Sequence, residues 1–295
     1  MEAEQFKQAC DAIASDRQKG ASQLARRCLE ILARSARQAP AGDVTELQQT
    51  LVGRQEQLAA SRPSMAPVQN LLARWGFCLK SPSRELAEFR AAAAEEAERL
   101  CRISRKAVAA IGRHGADYLG DDLTLITHSL SSTVVAVCEA LKDRGVEVIA
   151  SESRPLYEGL KLAEQLAGWK VPVTVITDAQ LGLFSDKADI ALIGADSLLA
   201  DGSAINKAGS WLLALAARER GIPLLVACES FKIRPDDSPP QLEEMDPAEL
   251  GHPCRSGIAL RNIYFEIIPA ALVGGWINED GVAQDWQAAK KMAGL

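Results

Sequence analysis

"LTLITHSLSST", Leu123 to Thr133, is where the grammar of the chain changes. Its first five residues are short-range apolar and β-branched, as in a strand buried on both faces. The next six crowd four hydroxyls and a histidine into the place where a helix is due to begin. Four more runs of the same kind follow: "VEVIAS", "VPVTVIT", "ADIALIG" and "IPLLVAC". Helix-length segments separate them. That alternation predicts an α/β domain, a doubly wound parallel sheet covered by helices on both faces. Ligands of such a domain lie in the crevice beyond the carboxyl ends of the strands.

Upstream of this point there is almost no strand signal. "FKQACDAIAS", "ASQLARRCLEILARSARQ", "VTELQQTLVGRQEQLAAS" and "VQNLLARWGFCL" space apolar residues three and four apart, as amphipathic helices do. Pro40, Pro63, Pro67 and Pro82 punctuate them. Ser83 to Ile111 holds no Gly or Pro and predicts one long helix. The expected organisation is a helical N-terminal domain over residues 1–112 and a Rossmann-like α/β domain over 113–295.

Composition excludes several classes. The formal net charge is −6 and no long basic run is present, which argues against a nucleic-acid-binding face. No stretch approaches the roughly 18 apolar residues of a membrane span. The polar start "MEAEQFKQACDAIASDRQKG" lacks the apolar core of a signal peptide, so a cytosolic location is expected. Seven scattered cysteines with no CxxC pair suggest neither a disulfide framework nor a zinc site. The three histidines, His114, His128 and His252, make no metal motif, and neither common phosphate-loop fingerprint occurs.

The strand ends carry the chemistry. Ser129, Ser131 and Ser132 stand at the start of a helix, either as an N-cap or as donors to an anion. In "SESRPLYEG", Arg154 suits a phosphate and Glu158 a sugar hydroxyl; a surface ion pair is the alternative. In "GADSLLADGSAINKAG", Asp196 follows a buried strand, where a carboxylate must be paired, capping or functional. Asn206 and Lys207 would open the next helix, and a lysine there hints at a bound anion. Lys232, in "ESFKIRP", is a further cation past a strand end.

Together, "RPSMAP", "ESRPLYEG", "GADSLLADGSAINKAG" and "ESFKI" resemble the family that unites the alpha, beta and delta subunits of initiation factor 2B with two sugar-phosphate isomerases. Those enzymes are methylthioribose-1-phosphate isomerase and ribose-1,5-bisphosphate isomerase. The resemblance spans nearly the whole chain and implies a helical N-terminal part before a Rossmann-like one. It implies that Lys19, Gly20 and Ala21 match an "RGA" turn, with lysine for arginine. It implies that Arg62, Pro63 and Ser64 match a phosphate-gripping "RP[ST]", that Asn206 and Lys207 match an "NK" pair, and that Lys232 matches a downstream lysine. Asp196 takes the place of a proton-transferring aspartate. The implied ligand is a phosphorylated small molecule held between the two domains. The implied chemistry, an aldose phosphate becoming a ketose phosphate through an enediol, requires no metal or redox cofactor. "NIYFEIIPAALVGGWINEDGV" is similar to the strand-rich end that forms a dimer interface in relatives, so a homo-oligomer, dimer or higher, is the implied assembly.

One position departs. The isomerases carry a cysteine in a stretch like "THCNS", and here that position is Ser129. A thiol titrates near pH 8.5, whereas a hydroxyl is far less acidic. Either His128 or Ser129 would then assist Asp196, or the chain is a non-catalytic sensor of a phosphosugar or nucleotide, as the initiation-factor subunits are.

Overall fold

A computed structural model describes residues 1–16, 19–63, 65–83, 85–234, 240, 242, 244–253 and 255–294. They form two compact units, Met1–Lys106 and Ala107–Leu295. The dividing point falls inside one long helix. No described helix is long and apolar enough to cross a membrane.

The first unit is helical throughout: α1 (Ala3–Ser15), α2 (Ala21–Gln38), α3 (Val44–Ala60), α4 (Ala66–Gly76) and the first turns of α5 (Leu86–Leu119). The three-and-four spacing of apolar residues does what it predicts. Leu24, Cys28, Leu29 and Leu32 form a fully buried stripe on α2, each large aliphatic side chain worth about 1.5–3 kcal/mol relative to exposure. Asp43 caps α3 by accepting the Glu46 N–H at 2.9 Å. Trp75, fully buried, donates its indole N–H to Ala93 O at 2.8 Å.

The expected long helix runs on past Ile111 through Gly112 and Gly115. Both glycines sit against the next helix of the second unit. A Cβ at Gly112 would lie 2.7 Å from the Ala136 carbonyl, and one at Gly115 would lie 2.6 Å from Val137. The glycines serve close helix packing rather than termination. Gly120, at φ +85°, ends the helix.

The second unit contains β1 (Thr124–Thr127), α6 (Ser132–Leu141), β2 (Glu147–Ser151), α7 (Glu158–Gly168), β3 (Val173–Ile176), α8 (Leu181–Phe184), β4 (Ile190–Ile193), β5 (Ser197–Leu198), β6 (Ala204–Lys207), α9 (Ser210–Arg220), β7 (Leu224–Ala227), β8 (Phe265–Ile268), β9 (Gly275–Asn278), β10 (Gly281–Ala283) and α10 (Trp286–Met292). The main sheet has seven strands in the order β10-β9-β7-β4-β1-β2-β3, all parallel except β10. All five apolar runs are strands of it.

Alternate side chains feed two cores. Leu125, Val148, Leu192 and Leu225 pack with α5, α6 and α7, and Ile126, Ile149, Ile193 and Val226 pack with α8, α9 and α10. This is the doubly wound arrangement, and its strand order reverses between β1 and β4.

Two expectations need correction, and one further sheet appears. β3 is an edge strand whose Val175 is 42% exposed, so its apolar run is not buried on both faces. A second, antiparallel sheet, β5-β6-β8, is present. Asn206 and Lys207 belong to it, paired with Glu266 and Phe265, and do not open a helix. The helix waits for Ser210 because Gly209 first turns the chain at φ +113°.

Candidate functional site

The sheet reverses its order at the ends of β1 and β4, and the candidate residues of the second unit gather around those ends. After β1 the chain enters His128 and then Ser129, which sits in the left-handed region at φ +70°. The helix therefore starts at Ser132, later than its hydroxyl run suggests, with Ser131 at the N-cap but making no capping hydrogen bond. The Ser131 hydroxyl instead lies 2.8 Å from that of Thr133, which donates to Ala227 O at 2.5 Å. Gly194, at the end of β4, leaves room for Ser131: a Cβ there would come within 2.1 Å of its oxygen. The hydroxyls of Ser129 and Ser132 make no hydrogen bond among the described residues and are half-buried.

His128 is committed elsewhere. Its Nε2 lies 2.8 Å from Ala208 O, a pure acceptor, so Nε2 carries the hydrogen and donates it. Nδ1 then accepts from the Ser151 hydroxyl at 2.6 Å. Burial lowers the imidazole's pKa, against the pull of Asp178, whose carboxylate is 3.7 Å away. A neutral ring with both nitrogens occupied is a core histidine, not a free base.

The end of β2 is tied to the same place. The Ser129 N–H donates to Ser153 Oγ at 2.7 Å. The N–H groups of Ser153 and Arg154 both donate to the Asp178 carboxylate at 2.8 Å. Ser153 and Tyr157 are left-handed at φ +61° and +56°. With Ser129, that makes three non-glycine residues in a conformation that costs about 1–3 kcal/mol each and that clusters at functional sites. The Arg154 guanidinium lies over the Tyr157 ring, 4.9 Å from its centroid, bonds its hydroxyl, and donates to Leu250 O at 2.8 Å.

Glu158, in the first turn of α7, receives the Lys207 ammonium at 2.8 Å. Lys207 is buried and lies 4.0 Å from the centre of the Tyr264 ring. The second carboxylate oxygen of Glu158 is buried with no hydrogen-bond partner among the described residues. Asn206 donates to Ser210 Oγ at 2.8 Å, and Ser210 donates to Lys207 O at 2.7 Å, which fixes the strand-to-helix turn.

Asp196 stands between β4 and β5 and is not a helix cap. Its N–H donates to Ile205 O at 2.8 Å. Lys232, also buried, donates to Ala195 O at 2.6 Å and pairs with Glu229 at 3.1 Å. Burial alone would lower the pKa of this ammonium; Glu229, Asp196 and Cys228 outweigh it and raise it. Burial pushes the Cys228 thiol well above its ordinary range and that of Cys138 up to about 12, so neither replaces the thiolate that Ser129 lacks.

In the first unit the candidate residues meet at the end of α1. Lys19 pairs with the Asp16 carboxylate at 2.7 Å. Gly20 is the N-cap of α2 and Ala21 its buried first residue. The buried Arg62 guanidinium donates to Ile13 O at 3.1 Å and to Asp16 O, satisfying the last carbonyls of α1. Ser64 lies outside the described residues.

Ser151, Ser153, Asp178, Glu229 and Tyr264 were not legible as site residues. Glu229 had a signal, a carboxylate directly after a buried strand. The others became visible only through their partners. Among the described residues no group of three or more His, Cys, Asp or Glu side chains is placed to hold a metal ion.

The chain matches the model of the Initiation factor 2 subunit family over residues 17–285. It is 36% identical to the Pyrococcus horikoshii protein named translation initiation factor eIF-2B subunit 2-like, over 90% of this chain and 92% of that one. It is 33% identical to the ribose 1,5-bisphosphate isomerase of Haloterrigena turkmenica, over 92% and 88%. The crystal structure of the Pyrococcus horikoshii OT3 translation initiation factor eIF-2B superposes with a TM-score of 0.83 at 33% identity, covering 97% of this chain and 99% of that one.

Proposed function

Since the chain belongs to the initiation factor 2 subunit family, we propose that it binds a ribose 1-phosphate-type sugar and isomerises the aldose phosphate to the ketose. The single observation that carries this reading is the setting of Asp196. It is a carboxylate at the point where the sheet reverses, one residue beyond a carbonyl gripped by a buried lysine. Relatives named ribose 1,5-bisphosphate isomerase support the same class.

In this reading Asp196 takes the proton from C2 as the ring C1–O bond breaks, and the departing ring oxygen takes a proton from solvent water. Asp196 returns its proton to C1 of the resulting enol phosphate, and the C2 hydroxyl gives its proton back to solvent, which completes the ketone with no net gain or loss of protons. Ser129 orients a substrate hydroxyl and does not act as the second acid, because its own hydroxyl titrates far above neutral pH. The start of α6, with Ser131 and Ser132, receives a phosphate, and Asn206, Lys207, Lys232, Arg154 and Glu158 surround the sugar and its charge. Lys19, Gly20, Ala21 and Arg62 form a phosphate grip at the start of α2.

A second reading is favoured by two observations: Ser129 stands where a thiol would be, and the cations at the site already have protein partners. In that reading the pocket senses a phosphosugar or nucleotide without turning it over, as a regulatory subunit would.

Both readings carry self-association. Trp211 and Leu212 on α9 and Leu183 on α8 are large apolar side chains left 43%, 59% and 63% exposed, and we place the contact with a second copy of the chain at α9.

Purified protein given ribose 1,5-bisphosphate separates the readings. The isomerase forms the ketose bisphosphate and Asp196→Asn abolishes it. Absence of turnover, with the sugar still raising the melting temperature, selects the sensor.

A further inference from the structure

Asp178 follows β3 and opens a helical turn, where an acid would ordinarily serve that turn's own N–H groups. The turn is held without it. The Gln180 side chain accepts the Thr177 N–H at 3.2 Å, and the Gln180 N–H donates to Thr177 O at 2.9 Å. Both oxygens of Asp178 face the end of β2 instead. Oδ1 accepts the Ser153 N–H and Oδ2 the Arg154 N–H, each at 2.8 Å. A carboxylate that takes two successive backbone N–H groups fixes the peptide between them, and such charge-assisted bonds are roughly twice as strong as neutral ones.

The segment that Asp178 grips does not hold its shape by local preference. Ser153 and Tyr157 lie in the left-handed region, which disfavours residues that carry a side chain. The turn is also closed tightly. The Gly159 N–H donates to Glu152 O at 3.2 Å, and a Cβ on Gly159 would collide with Ser151 O. Arg154 and Tyr157, the ring that its guanidinium lies over, both belong to this turn, so the shape of the turn sets where the guanidinium sits. Ser153 Oγ passes the same constraint to the end of β1 by accepting the Ser129 N–H at 2.7 Å.

We propose that Asp178 is a positioning residue: its grip on the Ser153 and Arg154 N–H groups holds the turn after β2 in its left-handed shape and so places the Arg154 guanidinium for the charge of the ligand. This role rests on the reading of Arg154 as a ligand-binding residue, and it is the same whether the ligand is turned over or only sensed.

The test is a double-mutant cycle on the full chain, with ribose 1,5-bisphosphate as the probe and calorimetry as the readout. Asp178→Asn keeps the size of the side chain and loses one of its two acceptors, and Kd should rise by on the order of tenfold. Arg154→Met should weaken binding by at least as much. In the Arg154→Met background, Asp178→Asn should change Kd by less than about twofold, because it acts through a side chain already removed. A merely structural aspartate would cost the same in both backgrounds, so a double variant weakened by the product of the two single losses overturns the proposal. So does a single variant, at either position, that binds like the unaltered chain. Asp178→Glu keeps both acceptors on a longer arm; it should lose about threefold, with the same dependence on Arg154, and it serves if Asp178→Asn does not fold. If the unaltered protein does not bind the probe, the ligand reading fails by itself. A crystal structure of Asp178→Asn then decides: a turn from Ser153 to Tyr157 that keeps its left-handed shape refutes the positioning role, and one that has shifted sustains it.

Discussion

The ammonium of Lys207 and the carboxylate of Glu158 lie 2.8 Å apart and join the end of β6 to the first turn of α7. The two residues are 49 positions apart in sequence and stand out separately there, one as a phosphate ligand and one as a sugar ligand. In the folded chain they neutralise each other. Any anion entering the site competes with Glu158 for Lys207.

Removing one partner should therefore hurt more than removing both. Glu158→Ala leaves a buried ammonium alone and should destabilise the protein by roughly 3–5 kcal/mol, toward the lower end because Glu158 keeps some solvent contact. Glu158→Leu combined with Lys207→Met should recover most of that loss in chemical denaturation. A double variant as unstable as the single one would mean that the pair is not coupled.

Ser129→Cys should raise isomerase activity on ribose 1,5-bisphosphate. The Ser129 hydroxyl is half-buried and makes no hydrogen bond among the described residues, so the thiol replaces it without breaking one. A thiol titrates near pH 8.5 and can exchange a proton that serine cannot. Kinetics identical to the parent chain would show that more than the thiol separates this site from the isomerases.

Stability should fall in acid because of His128. Burial lowers its native pKa below the unfolded value of about 6.5, so the unfolded chain binds the extra proton first. The contribution is complete above about pH 6.5 and is lost as pH drops toward the native value, at up to about 1.4 kcal/mol per pH unit. His128→Gln should flatten that slope in denaturant titrations between pH 5 and 7. An unchanged slope would assign the acid sensitivity to other groups.

Gly209→Ala should be costly for two reasons that compound. The backbone there is left-handed at φ +113°, and a Cβ would meet the His128 ring at 2.7 Å. The expected loss is about 1–3 kcal/mol, with a shift in the His128 imidazole resonances. A variant of parental stability would show that the turn relaxes around the methyl group.

Leu212→Asp should lower the mass observed by analytical ultracentrifugation if α9 is the face between copies. It is 59% exposed, so the change leaves the chain's own core intact. A monomeric parent, or a variant of unchanged mass, would remove α9 from the assembly.

Much of this was legible in the chain itself. Five β-branched runs, each four to eight residues long and bounded by turn residues, specify strands locally, because their only stable fate is burial on both faces or at an edge. Helix α5 was foreseeable from its uninterrupted pattern, although its far end was not: Gly112 and Gly115 look like breakers until Ala136 and Val137 are seen against them. The two-residue strand β5 and the pairing of Lys207 with Phe265 left no local trace, since a short ladder is stable only when its partner arrives from elsewhere.

The chain alone determined which residues stand at the strand ends: hydroxyls after β1, Arg154 after β2, Asp196 after β4 and Lys232 after β7. Charge and periodicity are local properties and survive in one dimension. What each charge does was decided by tertiary structure. Lys232 turns to a carbonyl 37 residues away, Lys207 to a carboxylate 49 away, and His128 to a carbonyl 80 away. A buried polar group takes whatever partner the fold delivers, because leaving it unpaired costs more than almost any alternative geometry.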